Sequence, residues 1–373
     1  MIIGIDMTWL KPRISGGVEF YAINLIQGIL KLPDDNQYVL LLAEDNSEYL
    51  KKAFGDDHRL KYIECKTNAN AVAQHLWWQS AHEYSVLKKN QIDFCFFPVY
   101  EMPIYKMKKV KCVTVVHDIQ AQHYPEYFKL HELVWFHMAW QKVLNNSERV
   151  VVTTNYTKGD LEACYKSHGN VEVIWIPVTF DTNQVADFDQ LAEKYQIQKN
   201  QYFYTVCSMR KHKNLLTLLK VMKKIKDENI DLPKKLVISG VTGPDKDNFL
   251  KQIQELGIQD SIIQTAFVSN AERNALIKNS NMFLFPSIFE GFGMPPIEAA
   301  MLGSKVLSTK ETSLKEVTMN RCNYVNDPFS ADEWIAEMKK MQTQEAKVIP
   351  FEEFKDTTIA RQYLDLFYKV SKE

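Results

Sequence analysis

The chain has 373 residues, with 45 Lys plus Arg against 46 Asp plus Glu and a net charge of −1; 46% of its residues are hydrophobic and 24% charged. That balance argues against a dedicated nucleic-acid binder, which would carry a basic excess. The length suits one or two well-packed globular domains, and no apolar run is long enough for a membrane-spanning helix.

The chain opens on Met1-Ile2-Ile3-Gly4-Ile5-Asp6, which reads as a strand rather than a signal peptide, since basic leader and long apolar core are both missing. Further short apolar runs predict strands at Tyr38–Leu42, Phe94–Phe97, Cys112–His117, Val150–Thr153 and Val173–Ile176. The second half adds Tyr202–Cys207, Leu236–Gly240, Ile262–Gln264, Met282–Pro286 and Lys305–Ser308. Helical patterns lie between them, at Val18–Leu30, Leu215–Lys226 and Ala271–Lys278. Such alternation predicts two α/β domains, each a doubly wound parallel sheet covered by helices. A polar stretch without clean periodicity, Val178–Asp189, marks the boundary. The last segment puts Ile359, Tyr363, Leu366, Phe367 and Val370 on one helix face. The six cysteines are scattered without a C-x-x-C pair, which reads as free buried thiols in a reducing cytoplasm. No metal-ligand cluster is visible. Lys106, Lys108, Lys109 and Lys111 form a short basic group, either a solvated loop or a contact for anionic lipid headgroups.

Chemistry concentrates in Glu290-Gly291-Phe292-Gly293-Met294-Pro295-Pro296-Ile297-Glu298. The run Met282–Pro286 before it is a buried strand, and ligands sit at the carboxyl ends of such strands. Gly291 and Gly293 let backbone approach a ligand. Pro295 and Pro296 suit a first helical turn, whose N–H groups attract phosphate. Glu290 and Glu298 can accept hydrogen bonds from sugar hydroxyls. Taken alone, a strand-to-helix turn in any α/β protein would have the same punctuation.

Three other places carry weaker signals. Gly16-Gly17 sits at a strand-to-helix junction, where it can admit a phosphate or a sugar or serve as a flexible turn. His117 and Asp118 end an apolar strand; such a histidine is a satisfied structural residue, or a donor to a sugar hydroxyl at neutral pH. Arg210, Lys211, His212 and Lys213 follow the Tyr202–Cys207 strand, as a solvated charge run or as cations facing a diphosphate.

The Glu290–Glu298 stretch, with Phe285-Pro286-Ser287-Ile288-Phe289 before it and Glu311-Thr312-Ser313-Leu314-Lys315-Glu316-Val317 after it, closely resembles the signature of retaining glycosyltransferases of family four, which have the GT-B fold. That fold is two Rossmann-like domains facing a central cleft, with a C-terminal helix crossing back to the first domain. The resemblance implies an acceptor-side domain at 1–180, completed by helix 355–373, and a nucleotide-sugar donor domain at 188–354. It implies that Glu290 contacts the transferred sugar and Glu298 the ribose, with Gly291, Phe292, Gly293 and Met294 framing the donor. Gly16 and Gly17 match the family's glycine-rich first loop. His117 falls on the strand-end histidine that holds the sugar, and Asp118 supports the loop. Lys213-Asn214 matches the Lys-Asn that ends the family's basic pair, with Arg210 supplying the second charge. Phe267 and Val268 line the base pocket. Trp77, Trp78 and Tyr124 border the acceptor. Ile176-Pro177-Val178-Thr179-Phe180 departs from the family, where many members have Pro-Asn-Gly-Val.

The expected activity is metal-independent transfer of a hexose from a nucleoside-diphosphate sugar to an acceptor hydroxyl with retained configuration. By resemblance the acceptor is a glycan or lipid-linked sugar in bacterial surface polysaccharide or glycolipid assembly, handled in the cytoplasm or peripherally at the inner membrane face. No further cofactor and no nucleic acid are called for. The alternatives are a catalytically silent sugar-nucleotide binding subunit and a sugar-nucleotide epimerase of the same fold. A nicotinamide oxidoreductase would need a Gly-x-Gly-x-x-Gly loop after the first strand, and that strand ends in Asp6 without one.

Overall fold

The computed structural model describes every residue except Val241. The chain divides into two compact units, Met1–Thr179 with Glu352–Glu373, and Phe180–Phe351.

The first unit is built on seven parallel strands: β1 (Ile2–Asp6), β2 (Gln37–Ala43), β3 (Leu60–Cys65), β4 (Phe94–Phe97), β5 (Lys111–Val116), β6 (Arg149–Val152) and β7 (Val171–Val173). Their order is β3-β2-β1-β4-β5-β6-β7, so the winding reverses between β1 and β4. The central strands are apolar on both faces because helices cover both; Ile3, Ile5, Cys95, Phe96, Val113 and Val115 are fully buried. Gly4 is needed in β1, because a Cβ there would lie 2.9 Å from Ile92 Cγ2.

The C-terminal helix Asp356–Lys372 packs on this unit. Ile359, Tyr363, Leu366, Phe367 and Val370 are buried along its predicted face, each contributing about 1.5–3 kcal/mol by removal from water. Phe367 lies 4.9 Å from Phe94 and 5.1 Å from Phe96, ring centre to ring centre. The Tyr363 hydroxyl meets that of Tyr21 at 2.7 Å. Helix Gly17–Lys31 crosses close enough that a Cβ on Gly28 would sit 2.6 Å from the Asp356 carbonyl oxygen. A large side chain at position 28 would lever this crossing apart.

The second unit has six parallel strands: β8 (Tyr202–Val206), β9 (Lys235–Ser239), β10 (Ile262–Gln264), β11 (Met282–Phe285), β12 (Val306–Ser308) and β13 (Asn323–Tyr324). The order is β10-β9-β8-β11-β12-β13, with the reversal between β8 and β11. Its core joins Leu218, Leu219, Met222 and Ile225 of helix Leu215–Asp227 to Trp334 and Met338 of helix Ala331–Gln342, over Leu236, Ile238 and Leu284 of the sheet.

Several expectations are corrected. Residues 180–187, left between the domains or given to the first by sequence, belong to the second unit, where Asn274 Nδ2 donates to the carbonyls of Asp181 and Gln184. Residues 352–354 belong to the first: the Phe354 carbonyl accepts from Val178 N, and its ring packs edge-on to Trp175 at 5.1 Å. The strand expected at Val173–Ile176 lies earlier, at Val171–Val173. The cysteines are all free, but Cys164 is exposed and Cys207 and Cys322 are half-buried, leaving Cys65, Cys95 and Cys112 buried as expected. Lys111 is not part of a solvated basic loop, since its ammonium donates to the carbonyls of Val370 and Ser371 at the end of the C-terminal helix.

Candidate active site

The reversal of winding in a parallel α/β sheet opens a crevice at the strands' carboxyl ends. In the second unit two loops leave that point, one from β8 and one from β11. After β8 the chain makes a short 3₁₀ turn, Lys211–Lys213, and Asn214 enters the left-handed region at φ 51° before the helix begins. After β11 it runs through Ser287–Phe292 into helix Met294–Met301, with Gly293 at φ 91° as its N-cap. These loops bring Lys213 Nζ to 2.7 Å from Glu290 Oε1. Both side chains are mostly shielded from solvent, so their attraction is little screened.

The backbone of the glutamate loop is fixed from behind. Thr312, itself at φ 52°, accepts from Glu290 N at 3.0 Å through its hydroxyl oxygen. The Ser313 hydroxyl is 2.9 Å from the carbonyls of both Glu290 and Phe292. Gly293 has no room for a side chain, since a Cβ would lie 2.6 Å from Leu314 Cδ2. Ile288 N donates to the His212 carbonyl at 2.8 Å, tying the two loops together. Burial, then Lys213 and Arg210, push the His212 imidazole down to about 3; it is a neutral packing residue at pH 7. Phe292 is itself buried, so it can offer a ligand only backbone. Pro295 and Pro296 carry no N–H, so of the first three helical residues only Met294 has an amide hydrogen to give. An anion here would rely on loop amides and Lys213 more than on the helix end.

Glu298 lies one turn along that helix. Its carboxylate faces Arg273, with Nη1 3.3 Å from Oε2 and Nη2 3.5 Å from Oε1. Burial raises the Glu298 carboxyl above its ordinary value and Arg273 pulls it back. Sequence reading missed Arg273, which stands on helix Asn270–Asn279 and reads there as an ordinary solvated position. Arg210 precedes the 3₁₀ turn and lines a cavity of about 290 Å³ with Lys211, Asn214, Lys220, Asp245 and Phe329; Glu290 and Lys213 are not in that lining. Phe267 is 95% exposed on the loop after β10, beside half-buried Val268.

In the first unit, Gly16 caps helix Gly17–Lys31 at φ 62°, ψ −134°. That region is essentially glycine's alone, and a Cβ there would meet nothing within 4 Å. His117 follows β5, with Nε2 2.9 Å from the Pro98 carbonyl oxygen. A carbonyl only accepts, so Nε2 carries the proton. Desolvation holds the imidazole down to about 4, so it is neutral at pH 7, leaving Nδ1 an acceptor. This corrects the expected direction: His117 can receive a hydrogen bond from a sugar hydroxyl through Nδ1, while its one donor is spent on Pro98. Asp118 accepts from Gln120 N at 2.9 Å. Tyr124 stacks on Tyr127 at 5.4 Å. Trp77 is 63% exposed, but Trp78 is buried in the core of the unit. Trp78 is therefore a packing residue and cannot border an acceptor. Among the described residues no group of three or more His, Cys, Asp or Glu is placed to hold a metal ion.

The two sheets, the glycine-capped helix and the paired acids define a GT-B glycosyltransferase architecture. Residues 15–181 match the model of glycosyltransferase family 4 and residues 187–353 that of glycosyl transferases group 1, and the chain belongs to this family. It is 27% identical over 248 residues to the O-antigen chain mannosyltransferase RfbU of Salmonella typhimurium, covering 63% of this chain and 65% of that protein. It is 23% identical over 227 residues to O-antigen chain mannosyltransferase B of Escherichia coli, covering 60% and 58%. The matched stretches thus span less than two-thirds of these relatives' own length. Among solved structures, Anabaena HepE in complex with UDP superposes with a TM-score of 0.70 at 15% identity over 99% of both chains. Sucrose-phosphate synthase from Thermosynechococcus elongatus gives 0.75 at 13% identity over 100% of this chain and 99% of that one. No helix among the described residues is long and apolar enough to cross a membrane.

Proposed function

We propose that the protein transfers a hexosyl group, mannosyl in the first instance, from a nucleoside-diphosphate sugar to a glycan hydroxyl with retention of configuration. The observation that carries this reading is the Lys213–Glu290 pair, 2.7 Å apart at the β8/β11 switch point. On this reading the cation serves a departing diphosphate and the acid accepts from a sugar hydroxyl. The mannosyl assignment and a place in O-antigen-type assembly rest on the relatives' activities. A nucleoside diphosphate fits the UDP held by the structural neighbour.

In the reaction the bond from the sugar's anomeric carbon to the β-phosphate oxygen breaks and its electron pair leaves with the diphosphate. Lys213 and the amides of the 291–294 loop stabilise that charge; one preorganised donor of this kind is worth about 3–4 kcal/mol. In the second unit Glu290 accepts from a sugar hydroxyl; in the first, His117 Nδ1 is free of its proton and is an acceptor for a hydroxyl. The acceptor oxygen attacks from the face the diphosphate leaves, and its proton passes to a phosphate oxygen. Glu298 accepts from the ribose hydroxyls. The first unit serves the acceptor and the second the donor. The acceptor is a glycan or lipid-linked sugar, and the protein works in the cytoplasm or peripherally at the inner membrane face.

A thermal-shift panel of UDP-, GDP-, dTDP- and ADP-sugars on the full chain tests the reading. One nucleotide family should raise the melting temperature, rising with the logarithm of one plus ligand over Kd, and an alkyl hexoside should then release nucleoside diphosphate. No stabilisation by any member contradicts the proposal. Binding without release would favour a silent binding subunit.

A further inference from the structure

We propose that Arg273 is a positioning residue for donor binding: its guanidinium aims the Glu298 carboxylate and keeps it ionised for the ribose diol, with Phe180 roofing the cation. This rests on the reading that Glu298 receives the ribose. The geometry is a two-pronged fork, with Nη1 and Nη2 each set against a different carboxylate oxygen at 3.3 and 3.5 Å. Both side chains are largely buried, at 19% and 13% exposure. The Arg273 Nε is buried without a hydrogen-bond partner, and the two Nη atoms face Glu298. The Phe180 ring covers the guanidinium, its centre 5.9 Å from Cζ.

The turn that carries Arg273 is clipped to the segment that begins with Phe180. Asn274 Nδ2 donates to the Asp181 and Gln184 carbonyls at 3.2 and 3.0 Å, and Ala186 N donates to Ala271 O. Phe180 ends the stretch in which this chain departs from its family's Pro-Asn-Gly-Val. Here the departure gives the arginine an aromatic cover.

A ribose presents two neighbouring O–H donors. An ionised carboxylate can take an arginine fork on one lone pair of each oxygen and a hydroxyl on the other, whereas a protonated carboxyl loses an acceptor position. Among the described residues, the elements packed on its helix bring no other cation to Glu298. Strands β11 and β12 carry no titratable side chain, and Glu298 is the one titratable residue of helix Met294–Met301. On helix Asn270–Asn279, Glu272 is tied to Ser269 and Lys278 is exposed. Lys305, in the following turn, donates to the Met341 carbonyl. Removing Arg273 leaves a desolvated carboxylate without a counter-charge, and burial then raises its pKa further.

The test is donor affinity against pH, measured by calorimetry on the full chain with UDP-glucose and GDP-mannose as probes. The diphosphate diester of these probes does not titrate near neutrality. Wild-type affinity should be level through neutrality and weaken only in acid. Arg273→Gln should bind about tenfold or more weakly at pH 7, the scale of a lost charged hydrogen bond, and recover as pH rises. Arg273→Lys should restore most of the affinity and the wild-type profile. Arg273→Gln with unchanged affinity, or with the same loss at every pH, overturns the inference. Glu298→Gln separates the two failures: it should bind weakly at all pH, and if it binds like wild type the ribose reading itself falls.

Discussion

The first unit's switch point is furnished with neutral or internally committed groups. Asp6, closing β1, is fully buried and accepts from the backbone and hydroxyl of Thr8 at 2.9 and 2.6 Å. His117, after β5, is uncharged with its proton given to Pro98. The second unit's switch point holds formal charge in two pairs, Lys213 with Glu290 and Arg273 with Glu298. On the proposed reading these two sheets of similar winding serve different partners, although the first unit also holds the His75–Glu101 pair at 3.2 Å near Asp6. A diphosphate that gains charge as it leaves needs a cation placed in advance, because a preorganised charge costs no reorganisation during the reaction. An incoming hydroxyl needs an uncharged hydrogen-bond partner and a fixed backbone.

Substitutions on the two sides should therefore differ in size. Lys213→Ala should lower kcat by about 10²–10³, the cost of one lost preorganised donor, in a nucleotide-release assay at saturating donor. Near-wild-type turnover would erase the contrast. His117→Ala, which removes a neutral acceptor, should cost about tenfold, in line with one lost hydrogen bond. A loss as large as that of Lys213→Ala would show that the first unit also carries developing charge.

Gly293→Ala tests the loop's geometry without touching a charge. Its positive φ and the contact with Leu314 should lower stability by about 1–3 kcal/mol, read as a shift in the urea midpoint, and weaken donor binding. An unchanged midpoint would mean the loop is not held as described.

At neutral pH the smallest expected effect is that of His212, whose influence on stability emerges only in acid. His212 is held near 3 when folded, against an ordinary value of about 6.5 when unfolded. The unfolded chain therefore takes up the extra proton between those values. The stability His212 gives by staying neutral is complete above about 6.5 and declines as pH falls toward 3. His212→Gln should flatten the acid limb of urea midpoint against pH; a limb as steep as wild type would assign the acid sensitivity elsewhere.

Central strands were legible because burial on both faces writes them as unbroken apolar runs, as in Phe94–Phe97 and Met282–Phe285. Leu60–Cys65 was missed because β3 is an edge strand with all positions but Cys65 partly buried or exposed. Asn323–Tyr324 is a two-residue edge with no run to detect. The Glu290 loop announced itself by glycine, proline and acid in one short stretch. Arg273 could not, because its partner lies 25 residues away on another helix, and a single arginine in a polar helix reads as solvated until the fold closes around it. Trp78 failed in the opposite sense: its neighbour Trp77 is outward and Trp78 inward, a distinction that an aromatic cluster in sequence does not make.

The most direct test of the Lys213–Glu290 assignment is a crystal structure of the full chain with the nucleoside-diphosphate sugar that the binding panel selects. The expected density has the diphosphate against Lys213 and the 291–294 amides, the hexose beside Glu290 and the ribose on Glu298. A donor bound elsewhere, or bound with Lys213 still closed on Glu290 and making no phosphate contact, would contradict it.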